Sequence, residues 1–469
     1  MAQKLIHHFE AERQSIEQRL EAGKKLRSKC RRISLGIYKK PADRKDPISI
    51  LEAQAKTRLP ELVPIRHGRM LTSPFAFYRG NAAIMSADLA AQKHLSGIEV
   101  QACGDMHMAN FGVFASAERN LVFGINDFDE THRGPWEWDL QRLVASIVSG
   151  GRFLGADKGL CQDAVRSCVQ TYRKKMRQFA YMGNLETWYS TINEKDILDA
   201  LDASARAGAR KIFGKARTRT HMQVLGKMTD LVDEKYRLKE NAPFIIRPLM
   251  AADGKTPIRE ALSAFLESYL PSLNDDRAQL LKRYRVVDVA RKVVGVGSVG
   301  TRCWIIFLTG NHDDDPLFLQ VKEAQKSVLS PYTKKSPYTH NGQRVIAGQR
   351  LIQGAPDIFL GWGNVVGIDF YVRQLRDMKG GVEFDPETIK VQNLPQYTSL
   401  CGWALAQAHA KSSDAAVLAG YVGNSEELDD AMVKFAFAYA DQTEKDYALF
   451  EKAIGTGRLQ SAGAEKAEE

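Results

Sequence analysis

Two acidic loops, each directly after a strand-like apolar run, constrain the fold of this chain more than any other feature. "IEVQACGDMHMAN" carries Asp105 five residues before Asn110, and "LVFGINDFDE" carries Asp127. Short runs of β-branched and aromatic residues predict strands, so these oxygen-bearing side chains are expected at the ends of two short strands. Carboxylate and amide oxygens suit Mg²⁺, which usually completes its coordination with phosphate oxygens. The loops therefore predict a site for metal-assisted phosphoryl chemistry.

Length and composition indicate a globular chain. Its 469 residues, 44% of them hydrophobic, are enough for one large or two medium domains with cores of their own. No apolar run is long enough to cross a bilayer, and the N-terminus carries charges where a signal peptide would be apolar, so we expect a cytoplasmic protein without a membrane partner. The six cysteines form no CxxC pair, so we expect reduced, buried thiols and neither disulfides nor a zinc site.

A basic segment, Lys24 to Lys45, has ten Lys and Arg residues against one acid, Asp43. Such a run suits either docking on nucleic acid or an anionic surface, or a solvated helix end and linker. Aromatic residues do not alternate with the charges, and no nucleic-acid motif is present. The sequence therefore favours the solvated surface over nucleic-acid binding.

The two acidic loops resemble motifs of a known enzyme superfamily. "GDMHMAN" followed by "INDFDE" is similar to the catalytic loop and the metal-binding segment of aminoglycoside phosphotransferases and choline kinases, which are protein-kinase-like enzymes. The resemblance implies that Asp105 is the catalytic base and that Asn110 and Asp127 are metal ligands. It implies a catalytic-loop role for His107 and makes Asp129 a further candidate metal ligand.

Two neighbouring residues bear on how the catalytic loop is held. Asp139 in "WEWDLQRL" resembles the downstream Asp that braces this loop in the superfamily. Cys103 stands where those enzymes usually carry a His before the Gly. The chain also resembles, in "RMLTSPFAFYRG", "FDETHRGPWEWDLQRL" and "FYVRQL", a bacterial family known as a domain of unknown function and assigned to the same superfamily. That resemblance implies a fold and no substrate.

A kinase also needs a glycine-rich turn and a lysine on a neighbouring strand. "GVGSVG" fits G-x-G-x-x-G but runs into the β-rich "TRCWIIFL", whereas a dinucleotide fingerprint opens into a helix. "LFLQVKEA" then offers Lys322 for the α and β phosphates, and "FYVRQL" predicts the strand beside adenine. Arg79 in "FAFYRG" is either a phosphate contact or part of a structural ion pair. The predicted nucleotide-binding residues are Arg79, Gly295, Gly297, Ser298, Gly300, Lys322 and Tyr371.

These elements follow the catalytic loop, whereas ordinary kinases place them before it. "LCGWALAQAHAKSSD" resembles the helix that leads into the catalytic loop, yet it lies near the C-terminus. We therefore predict an α+β, protein-kinase-like, two-lobed fold that is circularly permuted, with a large, mainly helical lobe and a small β-rich lobe. The predicted parts are a basic N-terminal helical extension (1–60), the helical lobe with both acidic loops (61–285), the β-rich nucleotide lobe (286–380), C-terminal helices that complete the helical lobe (381–460) and a disordered tail (461–469).

One expected residue is missing. The kinase lysine usually pairs with a Glu on a neighbouring helix, but "GQRVIAGQRLIQG" has no Glu. Glu323 is adjacent to Lys322 on the same strand and should point to the opposite face. The sequence leaves Gln343 or Gln349 as the substitute.

The expected function is ATP- and Mg²⁺-dependent phosphoryl transfer to the hydroxyl of an unidentified small molecule or protein. Nucleotidyl transfer (AMPylation) at the same site remains an alternative, because the same ligands can hold an inverted ATP. A pseudokinase scaffold is the third interpretation. The presence of Asp105, Asn110, Asp127 and Lys322 together argues against a scaffold, which needs no catalytic base.

Overall fold

The computed structural model describes residues 9–251, 253–293, 295–375, 378–387 and 389–462, so most of the predicted disordered tail lies outside it. The chain is α+β, with 52% helix and 16% strand. The helices are α1 (Ile16–Lys25), α2 (Pro47–Ala55), α3 (Val63–Met70), α4 (Pro74–Gly80), α5 (Ala82–Ala91), α6 (Trp136–Phe153), α7 (Lys158–Tyr181), α8 (Asn184–Tyr189), α9 (Glu194–Ala200), α10 (Ala203–Thr218), α11 (His221–Met228), α12 (Ile258–Tyr269), α13 (Asp275–Leu281), α14 (Asn341–Ile352), α15 (Leu394–Ser412), α16 (Ala415–Val422) and α17 (Glu427–Gly455). The strands are β1 (Glu99–Ala102), β2 (Phe111–Ala115), β3 (Leu121–Ile125), β4 (His132–Pro135), β5 (Ile192–Asn193), β6 (Thr229–Val232), β7 (Lys235–Leu238), β8 (Ile245–Ile246), β9 (Arg285–Lys292), β10 (Cys303–Thr309), β11 (Pro316–Glu323), β12 (Gly361–Val365), β13 (Ile368–Gln374) and β14 (Gly380–Gly381).

Helices α6, α7, α15 and α17 form the helical body. Helix α6 is buried over nearly its whole length, and Trp136 on it stacks on Tyr172 of α7 at 5.8 Å between ring centroids. Helix α15 approaches α7 closely at Gly402, where a Cβ atom would lie 2.2 Å from the carbonyl oxygen of Cys168. Such backbone contact needs glycine, so this residue fixes how the two helices pack.

A six-stranded antiparallel sheet, in the order β12-β13-β11-β10-β9-β8, forms the second main layer. Strands β10 and β11 pair antiparallel and form a hairpin around the turn-rich "TGNHDDDP". Helix α12 covers one face, where Phe265 and Tyr269 join the apolar cluster of the sheet. The predicted β-rich lobe starts at residue 286. Both α12 and β8 precede that residue in the chain, yet they belong to this layer.

The two acidic loops follow short strands, as predicted. Strand β1 pairs with β4 and leads into Asp105. The β2–β3 hairpin lies in a four-stranded sheet of order β14-β2-β3-β5, and β3 leads into Asp127. These short strands fix the starting point of each loop.

The helix expected at "LCGWALAQAHAKSSD" is confirmed as part of α15. Its C-terminal end lies beside β1, where the backbone N–H of Gln101 donates a hydrogen bond to the Ser412 hydroxyl oxygen at 3.1 Å. All six cysteines are free and buried, as expected. Among the helices of the described ranges, none combines the length and the apolar character that a membrane span requires.

Candidate active site

Hydrogen bonds to backbone carbonyl groups hold the two acidic loops in place. The Asn110 side-chain amide donates to the Asp105 carbonyl at 2.6 Å, so its oxygen faces away from that contact. The backbone N–H of Asn126 donates to the Asn110 carbonyl at 2.8 Å, immediately before Asp127. The thiol of Cys103 donates to the Asp127 carbonyl at 3.1 Å. Cys103 therefore links the loops at the position where the resembling enzymes carry a histidine.

Asp139 braces the first loop from helix α6. Its carboxylate accepts the backbone N–H groups of Cys103 at 2.7 Å and of Gly104 at 2.9 Å. His409 on α15 lies behind it, with Nε2 3.4 Å from Asp139 and Nδ1 2.8 Å from the Tyr172 hydroxyl. His409 therefore connects Tyr172 of the helical body to Asp139, which holds the loop.

We expect Asp139→Asn to lower the free energy of unfolding by about 2–5 kcal/mol, because an amide cannot accept two backbone N–H groups as a buried carboxylate does. Urea denaturation followed by circular dichroism measures this change. Asp163→Asn, on the exposed face of α7, is the control and should unfold like the wild type. Equal stability of Asp139→Asn and the wild type would contradict the bracing role.

Asp105 is held by Arg142, which sequence reasoning missed. Arg142 Nε donates to Asp105 Oδ1 at 2.7 Å, and its Nη2 lies 2.5 Å from the same oxygen. The guanidinium is buried and lies over the Tyr78 ring, 4.6 Å from the centroid. Burial raises the pKa of the Asp105 carboxyl, while Arg142 opposes that shift. The ion pair fixes the Oδ1 oxygen and does not involve the Oδ2 oxygen.

His107 lies beside that second oxygen. Its Nε2 is 3.9 Å from Asp105 Oδ2, and the side chain is buried. Burial first, and then the nearby Arg79 and Arg142, lower the pKa of His107 well below its ordinary value. The imidazole is therefore neutral near pH 7. The Arg79 charge acts to lower the pKa values of both Asp105 and His107.

Lys322 faces the acidic pair, Asp127 and Asp129. Its Nζ lies 2.7 Å from Asp129 Oδ2 and 4.0 Å from Asp127 Oδ1. Burial alone would lower the pKa of Lys322, but the two carboxylates hold it above the ordinary value. Burial likewise acts to raise the pKa of Asp129, and Lys322 reverses this shift so that the pKa lies below normal. Both groups are charged at neutral pH.

Asp129 therefore supplies the partner of Lys322, and the expectation that Gln343 or Gln349 would do so is wrong. Gln349 instead donates to Gln353 at 2.8 Å. Both oxygens of Asp129 are engaged, because Oδ2 also accepts the Ser298 hydroxyl at 3.0 Å and Oδ1 accepts the Tyr371 hydroxyl.

These contacts bear on two expectations. The Asp129 carboxylate accepts three protein donors, Lys322, Ser298 and Tyr371, and its role as a metal ligand stays a prediction. Tyr371 contributes its hydroxyl to the acidic pair, and its ring lies 5.4 Å from Lys322 Nζ. Tyr371 therefore belongs to the ion-pair cluster, and the place of its strand beside adenine stays a prediction.

The glycine turn, Gly295 to Gly300, reaches the acidic pair through Ser298. Residue Arg58 holds it from outside, since its guanidinium donates to the Gly297 carbonyl at 3.0 Å and to the Val299 carbonyl. Gly300 has φ of +92°, and a Cβ atom there would lie 2.9 Å from that of Arg58. Gly295 has φ of −60° and open space around it. Gly295 can therefore accept a side chain without strain, whereas Gly300 cannot.

We therefore expect Gly300→Ala to lower the free energy of unfolding by about 1–2 kcal/mol, because a left-handed backbone disfavours a Cβ atom. Gly295→Ala is the matched control and should change stability by less than about 0.5 kcal/mol. Thermal unfolding of the two variants and the wild type makes the comparison. Equal destabilisation by both substitutions would contradict this description of the turn.

Comparison with known proteins identifies the family. The family model described as "Uncharacterized protein conserved in bacteria (DUF2252)" matches residues 58–453, which is most of the chain. The chain belongs to the DUF2252 family. Neither the curated proteins nor the solved structures give a match for it. Family membership brings no activity, so function must be argued from the site of this DUF2252 chain.

The site of the DUF2252 chain fits a magnesium ion with few protein ligands. Asp127 has a side chain 38% exposed and so can reach an ion from solvent. The Asn110 side-chain oxygen is left available by the contact of its amide with Asp105. Within the described ranges no group of three or more His, Cys, Asp or Glu residues could hold a metal. Two oxygen ligands completed by phosphates and water are what Mg²⁺ accepts, whereas Zn²⁺ requires more protein donors.

Further basic residues around the acidic pair escaped sequence reasoning. Arg373 donates to the Asn126 carbonyl at 3.3 Å and acts to lower the pKa of Asp127, which burial raises. Arg344 on α14 donates to the Asp129 carbonyl at 2.8 Å. A sequence signal existed for Arg373, because it lies two residues after Tyr371 and alternate strand residues share a face. No such local signal exists for Arg344 in the DUF2252 chain.

Proposed function

We propose that the protein is an ATP- and Mg²⁺-dependent phosphotransferase that acts on a hydroxyl group of a small molecule or a protein. The observation that carries this proposal is the ion pair between Lys322 and Asp129, which joins residues 193 positions apart at 2.7 Å. It brings the lysine of one sheet against the loop that carries Asp127. Phosphoryl transfer needs this meeting of a phosphate-binding lysine, a metal-binding carboxylate and a base.

We further propose that the fold is protein-kinase-like with its parts circularly permuted. Kinases carry a glycine-rich loop, a lysine on a following strand and then a helix that supports the lysine. Here the glycine turn lies between β9 and β10, Lys322 lies on β11, and α14 comes next. Helix α15, at the other end of the chain, ends beside β1 and so lies where a helix leading into the catalytic loop is needed.

Each residue has a role that follows from its contacts. Asp127 and the Asn110 side-chain oxygen would hold Mg²⁺, which when bound neutralises charge on the phosphates. Lys322 is positioned to contact phosphate oxygens through its buried ammonium. Asp105 accepts the proton of the attacking hydroxyl at the oxygen that Arg142 leaves unpaired. Arg142 acts through Asp105 and is a positioning residue.

The hydrogen bond from Ser298 to Asp129 bears on how a nucleotide enters. It closes the glycine turn onto the acidic pair, and Lys322 is 2% exposed in this arrangement. A phosphate group that contacts Lys322 must therefore displace or share these contacts. We expect nucleotide binding to move the glycine turn while Arg58 retains its outer anchor.

Lys322→Met tests this proposal, and we expect it to weaken ATP binding at least tenfold because the phosphates lose a buried cation. Equilibrium dialysis with labelled ATP and Mg²⁺ measures the affinity, and thermal unfolding checks that the variant folds. Lys326→Met, at an exposed site four residues away, is the control and should bind like the wild type. Unchanged ATP affinity in folded Lys322→Met would reject the assignment of the site.

A further inference from the structure

A large open cleft lies outside the proposed active site. Its volume is about 1520 Å³, and it is lined by the β2–β3 turn, α8 to α10, the start of α13, and the end of α14 with the loop that follows. Pockets for small molecules usually enclose roughly 300–1,000 Å³. The size of this cleft therefore suits a ligand larger than one small molecule.

The lining of the cleft is predominantly basic, with seven Lys and Arg residues against four Asp and Glu residues. The basic residues are Arg119, Lys195, Arg206, Arg210, Arg217, Arg277 and Arg350. A concave surface with an excess of one charge concentrates the field inside it. The cleft therefore attracts anions.

Helix α10 places three of these arginines on one face. Arg206, Arg210 and Arg217 are spaced four and seven residues apart, which corresponds to about 6 and 10 Å along a helix. Arg206 is oriented by a hydrogen bond from its Nε to the Leu198 carbonyl at 2.6 Å. Arg217 pairs with Glu194. The helix thus presents a row of cations in the direction that a chain of phosphates would follow.

Two of the basic residues have their charges available. Within the ranges that the structure describes, neither Lys195 nor Arg210 makes an ion pair, and both are exposed. Because both side chains are exposed and neither is part of an ion pair in the described ranges, substitution at these positions should not disturb folding. They are the clearest candidates for direct contact with an anionic ligand.

Adjacent aromatic residues complete the cleft. Trp188 is 49% exposed and Tyr189 is 73% exposed, and both contribute to the lining. Proteins that bind single-stranded nucleic acids combine a basic groove with aromatic rings on which bases stack. The residues Trp188 and Tyr189 offer such rings at the cleft with the arginine row.

We propose that this cleft binds a single-stranded nucleic acid, with phosphates along the α10 arginines and bases against Trp188 and Tyr189. The row of cations favours a chain of phosphates over a single phosphate group. The exposed rings favour nucleotides over a polyanion that has no bases. The site is distinct from the basic segment Lys24 to Lys45, and the proposal does not depend on the phosphotransferase activity.

Fluorescence anisotropy of a labelled 12-nucleotide oligouridylate, measured over a series of salt concentrations, tests the proposal. The wild type should bind, with affinity falling as salt rises. Lys195→Gln combined with Arg210→Gln should lower affinity at least tenfold and reduce the slope of log K against log salt by about 1.4, since each contact with a single strand contributes about 0.7. Trp188→Ala should weaken binding by about 5- to 150-fold without changing that slope.

The control is Lys24→Gln combined with Lys25→Gln, which removes the same charge from the basic segment and should bind like the wild type. No binding by the wild type, or equal binding by the cleft variants, would overturn the proposal. Loss of binding in the control alone would overturn it in favour of the basic segment. Equal affinity for inorganic polyphosphate, with no effect of Trp188→Ala, would show a general anion site and overturn the assignment to nucleic acid.

Discussion

Replacing Asp127 by Asn is expected to abolish Mg²⁺-dependent nucleotide binding. The substitution keeps the size of the side chain but removes its carboxylate. Of the two proposed metal ligands, Asp127 and Asn110, this carboxylate is the more exposed. Mg²⁺ is a hard cation that is bound through one or two carboxylates and phosphate oxygens, so loss of the more exposed carboxylate of the acidic pair leaves too few ligands. Equilibrium dialysis with labelled ATP, with and without Mg²⁺, measures the effect.

Folding should survive this change, because Lys322 keeps its closer partner Asp129 at 2.7 Å. Asp314→Asn, in the exposed β10–β11 turn, is the matched control and should retain the Mg²⁺ dependence of the wild type. Wild-type binding by Asp127→Asn at every Mg²⁺ concentration would mean that the metal is held elsewhere.

Replacing Asp105 by Asn is expected to lower the rate of phosphoryl transfer by about 10²–10⁴-fold while nucleotide affinity is retained. An amide cannot accept the proton of the attacking hydroxyl, and loss of a general base typically costs this much in rate. The nucleotide contacts proposed for Lys322 and Asp127 are unaffected. Single-turnover rates and ATP affinity, measured on the same preparation, separate the two effects.

This substitution also disturbs an ion pair, since the partners that Arg142 keeps among the described residues, Asn81, Met85 and the Tyr78 carbonyl, are neutral. Breaking one partner of a buried pair costs about 3–5 kcal/mol, so stability must be measured beside activity. The rate is therefore compared per folded molecule, below the unfolding transition of the variant. Transfer at the wild-type rate by folded Asp105→Asn would exclude Asp105 as the base.

Local patterns predicted the elements of the fold well. The strands that lead into Asp105 and Asp127, the β10–β11 hairpin and helix α15 all follow from short-range periodicity and turn residues. The extent of the six-stranded sheet did not follow, because β8 is two residues long and gains its place by pairing with β9. Such a short segment carries no periodicity of its own.

The candidate site was predictable where motif residues are adjacent in sequence and not where distant segments meet. Asp139 was expected to brace the loop, and its two contacts with backbone N–H groups bear this out. Arg142 follows Asp139 by three residues on the same helix, so the spacing offered a signal that both face the loop. The role of Asp129 as the partner of Lys322 depends on tertiary packing of the sheet against the loop, which no local pattern encodes.

Transfer of label from ATP tests the central proposal most directly. The protein is incubated with Mg²⁺, a cell extract as the source of acceptors, and ATP labelled at either the α or the γ phosphate. We expect the γ label to appear on an acceptor and the α label to remain with the nucleotide. Asp127→Asn should abolish transfer, and Asp105→Asn should slow it by about 10²–10⁴-fold. Transfer of the α label would contradict phosphoryl transfer in favour of nucleotidyl transfer, and the absence of both transfer and Mg²⁺-dependent ATP binding in the wild type would contradict the assignment of the site.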